Sequence, residues 1–346
     1  MTLAAAIRSG DVTLLPGKRQ EAWRWTDLRG LLRTLPALSE AETAPLDPGP
    51  FGGLGDEEVA VVNGRVASPS LTVVAGQART VRLRFVATCS ECRHEARLSI
   101  NVHAGGELTL LESHEGLAHG YVTAASIDLR VEDGGRVERI VLAEDGDGAV
   151  NVACAAVVLA PGARYAQTTL TDGARRQRLE TQLDHPGGGA DVRLDGIYIL
   201  AGQRHADLTT VVEHERPDGA TVQLTKGVVG GQSRGVFQGR IVVAEGADRT
   251  DARMGHHALI LSDRAEVDAK PELEIYADDV ACAHGNTVGA LDPEALFYAR
   301  QRGMPEPTAR ALLTEAFLGE VVDRIAHEGA RETARAWVAR RLEAGA

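Results

Sequence analysis

Cys282 and His284 are the residues whose types and spacing best suit metal chemistry. They lie in the run Asp278-Asp279-Val280-Ala281-Cys282-Ala283-His284-Gly285. On an extended strand both side chains point to one face, about 6.5–7 Å apart. A thiolate and an imidazole in this position can share a soft metal such as iron. Two ligands do not complete a tetrahedral site, so the others would come from another chain. The alternative is a buried thiol beside a hydrogen-bonded histidine.

A second candidate is the pair Cys89 and Cys92, which is followed by His94. Two thiolates at this spacing form half of a zinc or cluster site. The other half is missing, because the sequence has no second Cys-x-x-Cys and no His-x-x-x-His. Half-sites rarely bind a metal alone, so we favour two small, mostly buried residues in a β-turn.

The remaining histidine patterns are weaker. His256 and His257 are adjacent, and adjacent side chains of a strand face opposite ways, so they do not easily bind one ion. We interpret them, with His205 and His214, as surface or structural residues.

Motifs for nucleotide binding and zinc-dependent hydrolysis are absent from the sequence. It has no Gly-x-x-x-x-Gly-Lys-[Ser/Thr] loop and no His-Glu-x-x-His. We therefore expect a chain that binds no nucleotide and is not a free-standing enzyme, so any ATP hydrolysis would belong to a partner.

Composition narrows the class of protein further. The net charge of −12 disfavours nucleic acid and anionic membranes as partners. No segment approaches the roughly 20 apolar residues of a membrane helix. The apolar stretch within the first ten residues is too short for a signal peptide. Four cysteines in 346 residues are too few for a disulfide framework, so we expect a cytoplasmic protein with reduced thiols.

The segment that must position these residues, 61–290, is predicted to be almost entirely β. Short apolar or alternating runs are separated by Gly and Asp, for example Val81–Phe85, Leu108–Leu111, Val137–Leu142 and Ile197–Leu200. Turn-like glycines recur every 26 to 31 residues, at Gly105, Gly134, Gly162, Gly188, Gly219 and Gly246. This period favours a solenoid whose coils cover one another, with a β-sandwich as the alternative.

Helical regions are predicted at both ends, over 1–60 and 291–346. The first includes a helix in 23–35 and a Pro/Gly-rich linker near Pro48. The second begins with a helix that Asp292 caps and Gly303 ends. A following helix, ended by Gly329, has the apolar stripe Leu312, Leu313, Ala316, Phe317, Val321 and Ile325, and a shorter helix closes the chain.

Several long runs make the sequence resemble the SufB/SufD family, and its SufD branch in particular. These runs are 251–254, 259–262, 271–280, the Cys282-x-His284-Gly285-x-Thr287-Val288-Gly289 segment, Phe297-Tyr298-x-Arg300-x-Arg302-Gly303 and, more weakly, Arg19-x-Glu21-x-Trp23-x-Trp25-Thr26-x-Leu28. The cysteine-rich motifs typical of SufB are absent, and Cys89 and Cys92 match no motif of the SufD branch.

The resemblance implies a mainly β fold, a right-handed parallel β-helix with helical ends. It implies a heterodimer with SufB through the β-helix, and an iron–sulfur cluster that is held transiently and shared at that interface with the help of Cys282 and His284. It also implies that the C-terminal helices, with Phe297, Tyr298, Arg300, Arg302 and Gly303, dock the SufC ATPase. Alone, the chain could form a homodimer, because an unpaired β-helix edge can pair with itself.

Two other functions are weighed against this scaffold role. One is a SufB-like homo-oligomeric cluster scaffold. The other is a β-helix enzyme that acts on polysaccharide, but such enzymes line a groove with acids and aromatics, and aromatic residues make up only 4% of this chain.

Overall fold

The structure, a computed structural model, describes residues 3–40, 45–185 and 188–343. The first two residues of the N-terminal apolar stretch thus lie outside the described residues. The strands are, in chain order, β1 (Ala37–Leu38), β2 (Glu57–Val62), β3 (Ser70–Val73), β4 (Ala78–Ala87), β5 (Cys92–Val102), β6 (Glu107–Gly116), β7 (Val122–Val131), β8 (Arg136–Glu144), β9 (Val150–Leu159), β10 (Arg164–Thr171), β11 (Arg176–His185), β12 (Asp191–Leu200), β13 (His205–His214), β14 (Ala220–Val229), β15 (Arg234–Val243), β16 (Thr250–Ile260), β17 (Glu266–Ile275) and β18 (Val280–Gly289). The helices are α1 (Leu3–Ser9), α2 (Leu28–Leu31), α3 (Pro293–Gln301), α4 (Glu306–Val322) and α5 (Glu328–Glu343), with 3₁₀ turns at Val12–Leu14 and Glu21–Trp23.

The strands form two parallel sheets that alternate along the chain. Odd-numbered strands build one sheet and even-numbered strands build the other, so each coil contributes one strand to each sheet. The β16–β18 and β15–β17 ladders illustrate the parallel pairing. This topology confirms the parallel β-solenoid and excludes the β-sandwich, whose sheets are antiparallel.

The core is the stack of inward side chains between the two sheets. Val102, Val131 and Leu159 show the principle, since they occupy one register position in three successive coils and are all buried. Neighbouring strands lie about 4.8 Å apart, so each coil covers the apolar side chains of the coil before it.

The coil turns need left-handed backbone at one position. The predicted turn glycines Gly105, Gly134 and Gly162 each have a φ of 65°. At the next two turns the left-handed residue is the neighbour of the predicted turn glycine, Gly189 after Gly188 and Asp218 before Gly219. Aspartate tolerates this region of backbone space better than most residues, so the turn does not need a glycine there.

The N-terminal segment crosses the odd-numbered sheet and is held there by a buried ion pair. Asp207 is completely buried and accepts a hydrogen bond from Arg178 at 2.9 Å and another from the Thr26 hydroxyl. The Arg178 guanidinium also lies over the Trp23 ring, 4.5 Å from its centroid. The Trp- and Thr-containing signature of this segment is therefore the part that binds to the solenoid.

The helix predicted in 23–35 is wrong in extent, since only Leu28–Leu31 is α-helical. Arg178 donates a hydrogen bond to the Ala22 carbonyl at 2.6 Å, and Nε2 of His205 is hydrogen-bonded to the Trp25 carbonyl at 3.1 Å. These bonds hold the segment against the sheet, so long-range contacts outweigh the local helical spacing.

The C-terminal helices pack on the even-numbered sheet. Lys226 is buried under α4, where its Nζ donates to the Phe317 carbonyl at 2.7 Å and to Glu320 at 2.5 Å. The Glu138 carboxylate accepts hydrogen bonds from the backbone amides of Ala326 and His327, just before α5, at 2.6 and 3.0 Å. None of the helices in the described part of the chain is both long and apolar enough to cross a bilayer.

Two predictions about these helices need correction. The buried row of α4 includes Thr314 and Leu318, whereas Leu312 and Ala316 are exposed, because contact with the sheet fixes how the helix is turned. Gly329 does not end α4, which stops at Val322; it lies inside α5. The closing helix is nearly as long as α4, with 16 residues against 17.

We expect Asp207→Asn to lower the free energy of unfolding by about 2 kcal/mol, because it removes the buried one of the two carboxylates that pair with Arg178 and leaves only Glu180. Urea unfolding measures this loss. Asp128→Asn is the matched control, since its ion pair with Arg97 is exposed and should contribute less than about 1 kcal/mol. Equal effects of the two substitutions would show that the pair of Asp207 and Arg178 does not hold the N-terminal segment.

Candidate functional site

The last strand, β18, forms an open end of the solenoid. Within the described residues its ladder partner is β16, and its other edge is unpaired. Residues 283–289 are all exposed. An unpaired strand presents a row of backbone amides and carbonyls that can bond to another chain.

Cys282 and His284 continue the inward row of the core at this end. Cys282 pairs in register with Ala252, and His284 pairs with Met254, and both β16 partners are buried side chains of the core. The two residues therefore share a face, as the strand period predicts. Cys282 is half-buried and His284 is exposed, because no further coil covers them.

The surroundings of Cys282 favour the neutral thiol. Burial raises the pKa of Cys282, although a hydrogen bond involving the Ala252 backbone acts in the opposite direction. A thiol becomes a good ligand for a soft metal only when it loses its proton, so metal binding here would release that proton.

The ligand set of this chain is incomplete at the open end. No cluster of three or more His, Cys, Asp or Glu side chains in the described part of the chain could hold a metal ion. Cys282 and His284 therefore supply two donors at most, and the structure leaves their role as ligands a prediction.

Asn286 is a third residue of the same face that sequence reasoning missed. It lies opposite His256 in the ladder, and the two side chains are 2.6 Å apart, from Nδ1 of His256 to Oδ1 of Asn286. The other ring nitrogen, Nε2, is 2.9 Å from the Tyr198 hydroxyl. The two-residue alternation of 282, 284 and 286 could have placed Asn286 on this face. Tyr198 is 58 residues from His256 in the chain, so no sequence pattern connected these two residues.

This hydrogen-bond chain fixes the ring of His256 in the core. Burial lowers the pKa of His256 to about 4, so the ring is neutral at pH 7. Phe237 stacks on it with a centroid distance of 4.7 Å and an angle of 2°. With Nε2 accepting from Tyr198, Nδ1 donates to Asn286, and the carboxamide nitrogen of Asn286 is left for a group at the open end.

The other histidines have structural surroundings. His257 faces away from His256 and is 2.7 Å from the Thr287 hydroxyl, so the two do not share an ion. His205 and His214 are buried, the first against the Trp25 carbonyl and the second 2.9 Å from the Thr221 hydroxyl. These contacts agree with the structural role predicted for them.

The predicted partner-binding residues lie on α3 and the turn after it. Phe297 and Tyr298 are each 62% exposed, an unusual exposure for large apolar side chains. The Arg302 guanidinium covers the Tyr298 ring at 5.1 Å and donates to its hydroxyl at 2.9 Å. Arg300 pairs with Glu306 at 3.3 Å, and Gly303 ends the helix with a φ of 86°.

The fold and the open end define the class of protein, a parallel β-solenoid with helical ends. Residues 85–317 match the family described as SUF system FeS cluster assembly, SufBD core domain. The match covers most of the solenoid and the first two C-terminal helices, α3 and most of α4. The chain belongs to this family of iron–sulfur cluster assembly proteins.

Curated relatives agree with that assignment. The chain is 33% identical over 253 residues to the iron–sulfur cluster assembly protein SufD of Escherichia coli, which covers 72% of this chain and 59% of that protein. It is 29% identical over 240 residues to a SufBD family protein of Synechocystis, covering 67% of this chain and 53% of that protein. A SufBD family protein of Mycobacterium tuberculosis is 28% identical over 254 residues, covering 71% of this chain and 63% of that protein. The chain thus spans less than two thirds of these relatives.

We expect Tyr198→Phe to release the ring of His256, because it removes the hydroxyl that donates to Nε2. Long-range ¹H–¹⁵N NMR of the histidine side chains should show His256 as the Nδ1–H tautomer alone in the native chain and as a mixture of both tautomers in the variant. The buried acceptor left without a donor should cost about 1–3 kcal/mol of unfolding free energy. Tyr276→Phe, at an exposed tyrosine, is the control. A native ring protonated on Nε2 would contradict the assignment.

Proposed function

We propose that this chain is a SufD-like scaffold subunit that pairs with SufB, docks the SufC ATPase and is not catalytic by itself. Cys282 and His284 help to hold or build the nascent cluster at the SufB interface. One observation carries the proposal, namely that both side chains lie on the inward face of the unpaired last strand. Membership of an iron–sulfur cluster assembly family supplies the chemistry.

The edge of β18 is the surface proposed for SufB. Apolar side chains near it are exposed, with Val288 at 42%, Ile275 at 41% and Tyr276 at 63%. A strand added to this edge would satisfy its backbone groups and bury these side chains together. A partner strand would also place its own inward residues against Cys282 and His284.

Ligand completion by the partner explains why two donors suffice in this chain. Iron bound to a thiolate and an imidazole needs two or more further ligands. A site divided between two chains forms only in the assembled complex. The cluster is then held while the complex exists and leaves it as cargo.

The exposed part of α3 is the surface proposed for SufC. Phe297 and Tyr298 offer an apolar contact, and Arg302 and the turn at Gly303 fix its shape. Leu312, exposed on the neighbouring α4, is a further apolar side chain in this helical region. Because the sequence lacks a phosphate-binding loop, nucleotide hydrolysis is assigned to the partner.

A homo-oligomeric scaffold is the second candidate, and the same edge favours it. Two copies paired through β18 about a twofold axis would bring together two thiolates and two imidazoles, a set of four soft-metal ligands. Cluster formation without SufB distinguishes this candidate from the first.

We expect Cys282→Ser and His284→Ala each to lower cluster formation at least tenfold while the complex with SufB and SufC still assembles. Serine is a poor ligand for iron and alanine is none, and losing even an indirect contact to a metal costs 10- to 100-fold in affinity. Anaerobic reconstitution of the three-protein complex, followed by cluster absorbance, measures the effect.

Cys154→Ser is the matched control for this experiment. Cys154 is also a half-buried thiol of a strand, but it lies in β9, far along the solenoid from β18. If Cys282→Ser and His284→Ala behave like Cys154→Ser, the open end is not the cluster site.

We expect Gly303→Val to weaken binding to SufC and to leave binding to SufB unchanged. The left-handed backbone at this turn disfavours a β-branched residue, although a Cβ there would meet no atom within 4 Å. Gly319→Ala is the control, since Gly319 also has open space around it but lies in α4 without a positive φ. Calorimetric titration measures the affinities for SufB and SufC. Equal affinity for SufC in the native chain and both variants would place the SufC surface elsewhere.

A further inference from the structure

Cys89 and Cys92 lie on either side of a tight turn at the beginning of the solenoid. β4 ends at Ala87, Ser90 and Glu91 form the turn, and β5 begins at Cys92. Glu91 has a φ of 50°, which reverses the chain within two residues. The first and last residues of such a turn have Cα atoms less than about 7 Å apart, which overlaps the range that a disulfide spans.

The sulfur of Cys92 is already on the Cys89 side of the turn. Its Sγ lies 3.0 Å from the carbonyl oxygen of Cys89. Cys92 is buried, at 3% exposure, whereas Cys89 is only partly buried. One thiol is thus accessible to a solute and the other is protected behind it, which is the arrangement of an attacking and a resolving thiol.

His94 lies beside the buried thiol. Its Nδ1 is 3.9 Å from the Cys92 sulfur. Burial, together with the nearby Arg65, lowers the pKa of His94 to about 4, so the ring is neutral at pH 7 and places no charge beside this sulfur. The position two residues after Cys92 puts both side chains on one face of β5.

The turn is held from outside the pair, so a bond between the sulfurs does not require the fold to open. The Asn63 side-chain oxygen accepts the amides of Thr88 and Cys89 at 2.9 and 3.2 Å. The Glu91 amide donates to the His119 carbonyl at 3.0 Å. A ring of four residues restricts the unfolded chain little, so such a bond suits reversible chemistry better than a structural one.

We propose that Cys89 and Cys92 form a reversible dithiol–disulfide site, oxidised by exchange with a small-molecule disulfide. The Cys89 thiolate attacks the external disulfide, forms a mixed disulfide and releases one thiolate. Cys92 then loses its proton to the released thiolate and attacks the Cys89 sulfur, which expels the second thiolate. Two protein thiols and one external disulfide become one protein disulfide and two external thiols. This site is separate from the open end and from the proposed function.

The test uses the purified full chain equilibrated with mixtures of oxidised and reduced glutathione. Remaining thiols are blocked with an alkylating reagent and counted by mass spectrometry, with the bridge located by peptide mapping. We expect Cys89 and Cys92 to lose alkylation together, in a mixture in which Cys154 and Cys282 are still fully alkylated. Addition of a reductant should restore all four. Full alkylation of Cys89 and Cys92 in excess oxidised glutathione would overturn the proposal.

Single substitutions separate the two thiols. Cys92→Ser should accumulate glutathione on Cys89, because the resolving thiol is absent, and Cys89→Ser should accumulate little on Cys92. The reverse pattern would contradict the assigned order of attack.

Discussion

Each coil of this solenoid depends on the next coil to cover its apolar side chains, and the last coil of the described residues has no such neighbour. The stack of Val102, Val131 and Leu159 shows what is gained inside, where side chains at one register position bury each other. In the even-numbered sheet the same kind of stack runs through Ala252 and Met254 to β18, and it leaves Cys282 and His284 on a face that no further described coil covers. The site at the open end is thus a direct result of how the core is built. Cys282 and His284 are core positions that have become accessible.

The two outer faces of the solenoid are covered by segments held through charged groups. Asp207 and Arg178 hold the N-terminal segment, and Lys226 with Glu320 holds α4. A buried ion pair adds little net stability, but either charge is costly without its partner. Such pairs favour one docked position over others, which apolar contacts alone specify less sharply. Both terminal regions therefore have a fixed place against the coils, and α3 follows directly from the open end.

Much of this architecture could be predicted from the sequence, because its determinants are local. The two-residue period of a strand was enough to place Cys282 and His284 on one face, and the turn glycines gave the coil length. The errors have a common physical cause, which is contact between residues far apart in the chain. Arg178 and His205 bind the carbonyls of Ala22 and Trp25 and hold this segment against the sheet. Contact with the other sheet orients α4 so that Leu318 is buried instead of Leu312. The pairing of Tyr198 with His256 crosses two coils and left no pattern to detect.

The long-range contacts of the N-terminal segment also set the order in which parts of the chain dock during synthesis. Coils stack on neighbours about 30 residues away, so the solenoid can grow as the chain leaves the ribosome. Thr26, however, bonds to Asp207, 181 residues later, and Glu21 bonds to Lys270, 249 residues later. The residues from Glu21 to Thr26 are therefore made early and dock late, whereas α1 packs against β5 and β7. Until β13 has joined the stack, Trp23 and Trp25 have no sheet to cover them, and the nascent chain carries two exposed indole rings that chaperones can recognise.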